Sequence, residues 1–147
     1  MVNQRLSHDD YYLTMLKLVA ARATCARRAV AAIIVDEHFE VLSTGYNGVP
    51  RGFTHCIDSP CLGASDPPID TRRCLAVHAE INALLQCKDL RRAYCIYVSC
   101  TPCFECAKAI ANTSIQRVVS LEAYSGAGIA VLQEKGIKTD IAKVLNS

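Results

Sequence analysis

The sequence lacks two kinds of apolar segment. It has no apolar run close to the roughly 18 residues that a membrane-spanning helix requires. Its N-terminal stretch, MVNQRLSHDDYY, carries acidic residues where a secretion signal carries an apolar core. The sequence therefore predicts neither a membrane protein nor an exported one.

An excess of one charge is also missing. The chain has 16 Lys and Arg residues and 14 Asp and Glu residues, which leaves a net charge of +2. We expect no polynucleotide partner from this balance, although a small anionic ligand needs only a few local basic side chains. Internal repeats and low-complexity tracts are absent too, and 147 residues is the length of one ordinary domain. The sequence predicts a single domain over 1–147.

Cysteine, by contrast, is abundant, with nine residues. An odd number without a secretion signal argues against a disulfide framework and favours metal binding or catalysis. Cys87 and Cys95 lie within apolar patterns, which predicts small core residues. Three others crowd into CTPCFEC (100–106), a stretch that holds two overlapping Cys-x-x-Cys units.

Hydrophobic periodicity predicts helices and strands in alternation. A helix begins at Ser7, with two aspartates in its first turn. Strands are predicted over 29–36, 41–48, 93–100, 116–122 and 137–142, and further helices over 76–87, 103–114 and 128–136. The first two strands suggest a hairpin, and 49–73 is irregular. Alternation in the second half implies right-handed crossovers and a partly parallel sheet covered by helices. The predicted fold class is α/β, a three-layer α/β/α sandwich with a mixed sheet of about five strands.

The stretch CTPCFEC falls at a strand-to-helix junction. Pro102 favours a helix start, which places Cys103 and Cys106 on one face of the first helical turn and leaves Cys100 at the end of the strand. Free backbone N–H groups and the helix dipole favour thiolates there. A thioredoxin-like redox pair also fits this position.

A second stretch, VHAEINA, supplies a partner for these thiols. It places His78 and Glu80 at the start of another predicted helix. A catalytic zinc takes three protein ligands in a tetrahedron and leaves one position for water. His78, Cys103 and Cys106 supply three ligands if the two helix starts converge, and Glu80 could then accept a proton from that water. A histidine alone would more often be a core residue, but H-x-E combined with P-C-x-x-C is the zinc deaminase signature.

Taken together, HAEINALL and TPCFECAKAI resemble the cytidine deaminase superfamily. Upstream, TCARRAVAAIIV, STGYNGVPRG and the dipeptide HC narrow the resemblance to deoxycytidylate (dCMP) deaminases of the bacterial and phage type. The resemblance runs from about 24 to 124. Ala31 departs from it, since the family usually has glycine there, and the irregular segment before His78 varies among family members.

The resemblance implies hydrolytic deamination of dCMP to dUMP and ammonia, which would supply dUMP for thymidylate synthesis. A zinc-activated water would attack C4 of cytosine, with Glu80 as the proton shuttle. The resemblance also implies a hexamer in the bacterial cytoplasm, or in the host cytoplasm for a viral protein. Activation by dCTP with Mg²⁺ and inhibition by dTTP are implied as well. Two alternatives stay open: a deaminase of another cytosine nucleoside or nucleotide or of a tRNA base, and a non-enzymatic zinc-clipped interaction module, which would not need Glu80.

Further roles are implied by the resemblance alone. Asn47, Ala79 and Tyr124 correspond to substrate-binding positions, although Asn47 also fits a simple turn residue and Tyr124 a buried aromatic. The resemblance places a triphosphate effector near three arginines, which alternatively are solvated surface charges: Arg27, Arg28 and Arg51.

A second, structural zinc is a further hypothesis. Cys25 and Cys56 match positions that bind such a zinc in some relatives, and Cys61 and Cys74 would complete a closed site of four thiolates. His55 is a competing donor. A metal clip would stabilise an irregular segment that has little core of its own. Free or buried thiols are the alternative.

Overall fold

A five-stranded mixed sheet lies at the centre of the molecule. The computed structural model describes residues 3–124 and 126–142. The strands are β1 (Ala31–Val35), β2 (Val41–Tyr46), β3 (Cys95–Cys100), β4 (Arg117–Glu122) and β5 (Lys138–Ile141). They lie in the order β2-β1-β3-β4-β5. β1 is antiparallel to both of its neighbours, whereas β3, β4 and β5 run parallel. The predicted mixed sheet of about five strands is confirmed.

Helices cover both faces of this sheet. They are α1 (His8–Ala20), α2 (Ala79–Gln86), α3 (Phe104–Ala111) and α4 (Gly126–Lys135). Because side chains alternate along a strand, Ile33 and Tyr97 pack with α1, whereas Ile34 and Ile96 pack with the other three helices. The three-layer α/β/α sandwich is therefore confirmed. Within the described ranges, no helix is long and apolar enough to cross a membrane.

The two cysteines predicted to be core residues lie in these layers. Cys95 is fully buried at the start of β3, and burial raises the pKa of its thiol to about 12. Cys87 follows α2 and is partly buried against the core on that side of the sheet. Both serve as small apolar side chains.

An ion-pair network attaches α1 to the end of the sheet where the parallel strands begin. The Ser7 hydroxyl accepts a hydrogen bond from the third residue of α1 and caps the helix, as predicted. Both carboxylate oxygens of Asp9 accept hydrogen bonds from Arg117 at 2.9 and 2.7 Å, and the Tyr97 hydroxyl donates to the same carboxylate at 2.7 Å. These partners, Arg117 above all, hold the pKa of Asp9 below its ordinary value. The cavity described below lies at the opposite end of the sheet, where the parallel strands end.

Long-range hydrogen bonds shift two predicted boundaries. β1 begins at Ala31 rather than at 29, because the Val30 N–H donates to the Asn47 side chain at 2.8 Å. α2 begins at Ala79 rather than at 76, because Val77 forms a two-way backbone bridge with Gly48. Between β2 and α2 the chain is irregular, as predicted, with one short 3₁₀ turn at Thr71–Arg73.

Candidate active site

Two helix starts bring one histidine and two cysteines together. His78 precedes α2 in an extended conformation, and its side chain makes no capping bond to that helix. Cys103 precedes α3, and its sulfur accepts a hydrogen bond from the Cys106 N–H at 3.5 Å. The His78 Nδ1 atom lies 3.3 Å from Cys106 Sγ and 3.5 Å from Cys103 Sγ. The convergence that the sequence required is therefore observed.

The donor atoms have the spacing of a tetrahedral zinc site. Bonds of about 2.3 Å to sulfur and 2.0 Å to nitrogen place two ligand atoms of a tetrahedron roughly 3.6 Å apart. The three donor atoms lie within 4.8 Å of one another. All nine cysteines are described and all have free thiols, so Cys103 and Cys106 do not form the disulfide of a redox pair. One imidazole and two thiols, with a fourth position unfilled by protein, fit a catalytic zinc.

Glu80 lies beside these donors in the first turn of α2. Its side chain is buried, with 5% exposure. Burial raises the pKa of the Cys106 thiol, and the charges of Glu80 and Cys103 raise it further. Glu80 also lines the same cavity as His78 and Cys103, so its carboxylate could exchange a proton with a molecule bound beside them.

His78, Glu80 and Cys103 line a cavity of about 370 Å³, which we call the main cavity. Its size is at the lower end of the range for small-molecule sites. It is lined by Cys25, Arg27, Arg28, Val30, Asn47, Cys74, Ala76, His78, Ala79, Glu80, Cys100, Thr101, Cys103 and Tyr124. Two of the three donor residues, a buried carboxylate and two arginines therefore line one cavity.

Comparison with known proteins identifies this arrangement. Residues 6–122 match the family described as the cytidine and deoxycytidylate deaminase zinc-binding region. The chain belongs to this family. The resemblance inferred from the motifs is confirmed: the chain is a zinc-binding deaminase domain, a hydrolase, and His78, Cys103 and Cys106 form its candidate metal site.

Individual relatives agree with the family. A deoxycytidylate deaminase of Mycobacterium phage D29 is 41% identical over 119 residues, covering 76% of this chain and 91% of the phage protein. The deoxycytidylate deaminase of Saccharomyces cerevisiae is 38% identical over 82% of this chain, which spans only 39% of the yeast protein. The crystal structure of a dCMP deaminase from the cyanophage S-TIM5, in complex with dCMP and dUMP, superposes with a TM-score of 0.77. That pair is 26% identical, and the match covers 95% of this chain and all of the phage chain.

The three residues that the sequence predicted to bind substrate all line the main cavity. Asn47 uses its amide for the backbone, accepting from the Val30 N–H at 2.8 Å and donating to the Arg28 carbonyl at 2.9 Å. Ala79 is fully buried in the wall. Tyr124 lies at the rim with 64% exposure, so the alternative of a buried aromatic is wrong. The substrate roles of these residues stay predictions.

The three arginines predicted around an effector do not share a cavity. Arg27 and Arg28 line the main cavity, and Arg27 donates to the Gly63 carbonyl at 3.0 Å. Arg51 lines a separate cavity of about 250 Å³ together with His55.

The four cysteines considered for a second zinc lie in one region. Cys25 and Cys74 line the main cavity, whereas Cys56, Cys61 and Cys74 line a neighbouring one. A hydrogen bond from a backbone N–H group lowers the pKa of the Cys61 thiol to about 7, with a smaller contribution from Cys56. Among residues 3–124 and 126–142, however, only the His78 cluster brings three donor atoms within 4.8 Å of one another. His55 lies against Asp58 instead, at 3.9 Å.

Two glycines that are not part of the predicted site allow close packing next to the donor side chains of His78 and Cys103. A Cβ atom on Gly45 would overlap the backbone of α2, lying 3.0 Å from the Ala83 Cα and closer still to the Ala79 carbonyl oxygen. A Cβ atom on Gly128 would lie 2.9 Å from the Pro102 carbonyl carbon and 3.0 Å from the Cys103 carbonyl oxygen. The isolated glycine in the β2 pattern was a usable signal, because such glycines often mark close backbone approach.

Proposed function

We propose that this protein deaminates dCMP hydrolytically to dUMP and ammonia, and so supplies dUMP for thymidylate synthesis. The single observation that carries the proposal is the cluster of His78, Cys103 and Cys106 beside the buried Glu80. Support comes from relatives named deoxycytidylate deaminase and from the similarity to a phage enzyme solved with dCMP and dUMP.

His78, Cys103 and Cys106 would hold a zinc ion. When bound, zinc supplies the Lewis acid that activates water for attack on C4 of the cytosine ring. Glu80 takes a proton from the attacking water and delivers it to N3 of the ring. It then takes the second proton from the hydroxyl now on C4 and passes it to the amino group, so that the C4–N bond breaks, the C4 carbonyl forms and ammonia leaves. Because Glu80 is buried, bulk water does not compete for these transfers.

The walls of the main cavity would hold the nucleotide. We propose that Asn47 and Ala79 contact the base or sugar, because one Asn47 amide hydrogen is left after its two backbone bonds. Tyr124, exposed at the rim, would cover the bound ring. The charged environment suits a small nucleotide rather than a polynucleotide, in keeping with the net charge of +2.

An ammonia-release assay tests the substrate and the role of Glu80. Purified zinc-loaded protein is offered cytidine, deoxycytidine, dCMP and dCTP in parallel, and we expect the highest kcat/KM for dCMP. Glu80→Gln should abolish turnover while zinc content stays at one per catalytic site, because the amide cannot shuttle protons. Glu134→Gln, on the exposed surface of α4, is the matched control and should retain activity. Preference for an unphosphorylated nucleoside would overturn the substrate assignment. Full activity of Glu80→Gln would overturn the mechanism.

We extend the proposal to regulation and assembly on the strength of family membership. dCTP with Mg²⁺ would activate the enzyme, dTTP would inhibit it, and the chain would assemble as a hexamer. Initial rates at subsaturating dCMP, with and without each triphosphate, test the regulation. Light scattering of the purified protein tests the assembly. Rates that do not respond to either triphosphate, or a monomeric mass, would refute these two parts separately.

The second zinc stays a proposal for Cys25, Cys56, Cys61 and Cys74. The region that they share supports it. Burial raises the pKa of the Cys74 thiol, and the nearby Cys61 and Cys25 raise it further, as expected for thiols that lie close together. Metal analysis should find two zinc ions per chain and one in Cys56→Ser. One zinc per chain in both proteins would end the idea.

A further inference from the structure

The hydroxyl of Thr101 bonds to the backbone of the segment that carries Tyr124. Thr101 follows β3, is buried with 2% exposure and lines the main cavity. Its Oγ1 atom accepts a hydrogen bond from the Tyr124 N–H at 2.7 Å, and its own N–H donates to the Glu122 carbonyl at 3.0 Å. One buried residue therefore holds the chain that leaves β4 both at the end of that strand and at Tyr124.

These bonds extend the pairing of two parallel strands past their ends. The last paired residues of β3 and β4 are Cys100 and Glu122. A residue inside a parallel ladder donates its N–H to the neighbouring strand and accepts a second bond with its carbonyl oxygen. Thr101 makes the first of these bonds in the ordinary way, but it accepts the second with its side chain. The position of Tyr124 thus depends on a side-chain atom that a substitution can remove.

The ring of Tyr124 lies mostly outside the packed part of the molecule. Tyr124 is 64% exposed, and the guanidinium of Arg28 lies over its ring, with the central carbon 4.5 Å from the ring centre. A cation–π contact at an exposed position is weak, and Arg28 is itself an exposed residue. The bond to the buried Thr101 connects Tyr124 to the rigid part of the site instead.

Thr101 also stands next to the segment that carries a metal donor. Pro102 and Cys103 follow it directly, and Cys103 Sγ lies 3.5 Å from His78 Nδ1. A short piece of backbone and one hydrogen bond therefore link this donor to Tyr124. Stacking depends on the separation and offset of the two rings, so a ring that covers the base has to keep a fixed distance from the reacting end of the cavity. The Thr101 hydroxyl is placed to maintain that distance.

We infer that Thr101 is a positioning residue, whose hydroxyl holds Tyr124 over the base of the bound nucleotide. This inference rests on the proposed function, in which Tyr124 covers the ring, and it adds the residue that places Tyr124 there. It differs from two simpler roles for the same hydroxyl, which are direct contact with the nucleotide and stabilisation of the fold alone.

Paired substitutions of Thr101 test the inference by steady-state kinetics. Thr101→Val keeps the shape of the side chain but removes the acceptor, whereas Thr101→Ser keeps the acceptor and removes the methyl group. In Thr101→Val, KM for dCMP should rise about 3- to 10-fold, the range that one hydrogen bond contributes, while kcat stays unchanged because Glu80 is not touched. Thr101→Ser should match the wild type. Thr113→Val is the matched control, since it removes a hydroxyl that accepts from the Ile115 N–H after α3, and it should keep the wild-type KM.

Three further measurements separate positioning from the other two roles. In a Tyr124→Ala background, Thr101→Val should add nothing to KM, because the ring that the hydroxyl positions is gone. Hydrogen exchange of the Tyr124 amide, followed by mass spectrometry of the peptide that contains it, should be faster in Thr101→Val than in the wild type and Thr101→Ser. Calorimetry with dUMP should give the same order of affinities without any turnover.

The outcomes distinguish this inference from the proposed function. A wild-type protein that does not turn over dCMP refutes the proposed function, whereas unchanged exchange of the Tyr124 amide in Thr101→Val refutes the positioning bond itself. With an active wild type, an unchanged KM in Thr101→Val refutes the inference. An equal rise in KM in the Tyr124→Ala background also refutes it, since the hydroxyl would then contact the nucleotide directly. Equal losses in Thr101→Ser and Thr101→Val would refute it in favour of a role in the fold alone. Should Thr101→Val fail to fold, Thr101→Ala takes its place in every comparison.

Discussion

Replacing Gly128 with alanine would place a methyl group in the segment that carries Cys103. The new Cβ atom would lie 2.9 Å from the Pro102 carbonyl carbon, 3.0 Å from the Cys103 carbonyl oxygen and closer still to the Pro102 oxygen. All three are backbone atoms, so no side chain can rotate away. Either α4 or the segment before α3 must move, by about 1 Å to restore ordinary packing.

The size of the effect follows from two opposing contributions. Overpacking of a dense region typically costs about 1–3 kcal/mol. Alanine has a higher helix propensity than glycine, which stabilises the folded state by up to about 1 kcal/mol and offsets part of this cost. We expect a net loss of about 1–2 kcal/mol in the free energy of unfolding. We also expect a larger effect on the site, because a displacement of about 1 Å can reduce a rate about 100-fold.

Gly126→Ala, on the same helix, is the matched control, since a Cβ atom at that position would have no neighbour within 4 Å. Urea unfolding, zinc content and the dCMP deaminase rate are measured for both variants. Gly128→Ala should be less stable, bind zinc less tightly and turn over more slowly, whereas Gly126→Ala should match the wild type. Equal stability and equal rates in the two variants would refute the claim that α4 sets the position of Cys103.

Two further predictions concern the ligands and the ion-pair network. Cys103→Ser should lose most of the bound zinc in elemental analysis, because a hydroxyl is a much weaker zinc ligand than a thiolate. Cys100→Ser should retain the zinc, because of these two cysteines Cys103 is the one that faces His78; equal zinc in both variants would contradict the ligand assignment. Since Arg117 lowers the pKa of Asp9 in the folded state, the paired carboxylate stabilises the fold above about pH 4, and that stability is lost as the pH falls through the folded-state value. Asp9→Asn should therefore be less stable than the wild type in urea unfolding at pH 7, with a gap that narrows towards pH 3; a constant gap would refute this.

Local signals in the sequence were sufficient to predict the helices and strands and the cluster of His78, Cys103 and Cys106. The cap at Ser7, the proline before Cys103 and the alternation of strands with helices each depend on neighbouring residues. His78 and Cys103 could be predicted together because both lie at helix starts on the same side of a partly parallel sheet. Short-range physics, with the motif as a guide, therefore predicted that these donor side chains converge.

Contacts between distant segments could not be predicted in the same way. The bond from the Val30 N–H to Asn47 joins residues 17 positions apart and delays the start of β1. The fit of Gly128 against Pro102 depends on the distance between α4 and the start of α3. Hydrophobic periodicity gives the face that a helix buries but not how closely its backbone approaches another segment.

The place of Arg28 follows from the direction of a single strand. β1 is antiparallel to β3, with Ala32 opposite Val98, so the chain that precedes β1 meets the chain that follows β3. Arg28 therefore contacts Cys100, the last residue of β3, even though 72 positions separate them. If β1 ran parallel to β3, the residues before it would lie at the other edge, beside the ion pair of Asp9 and Arg117. The hairpin formed by β1 and β2 thus brings the guanidinium of Arg28 to the end of the sheet where the parallel strands end and where His78, Glu80 and Cys103 line the main cavity.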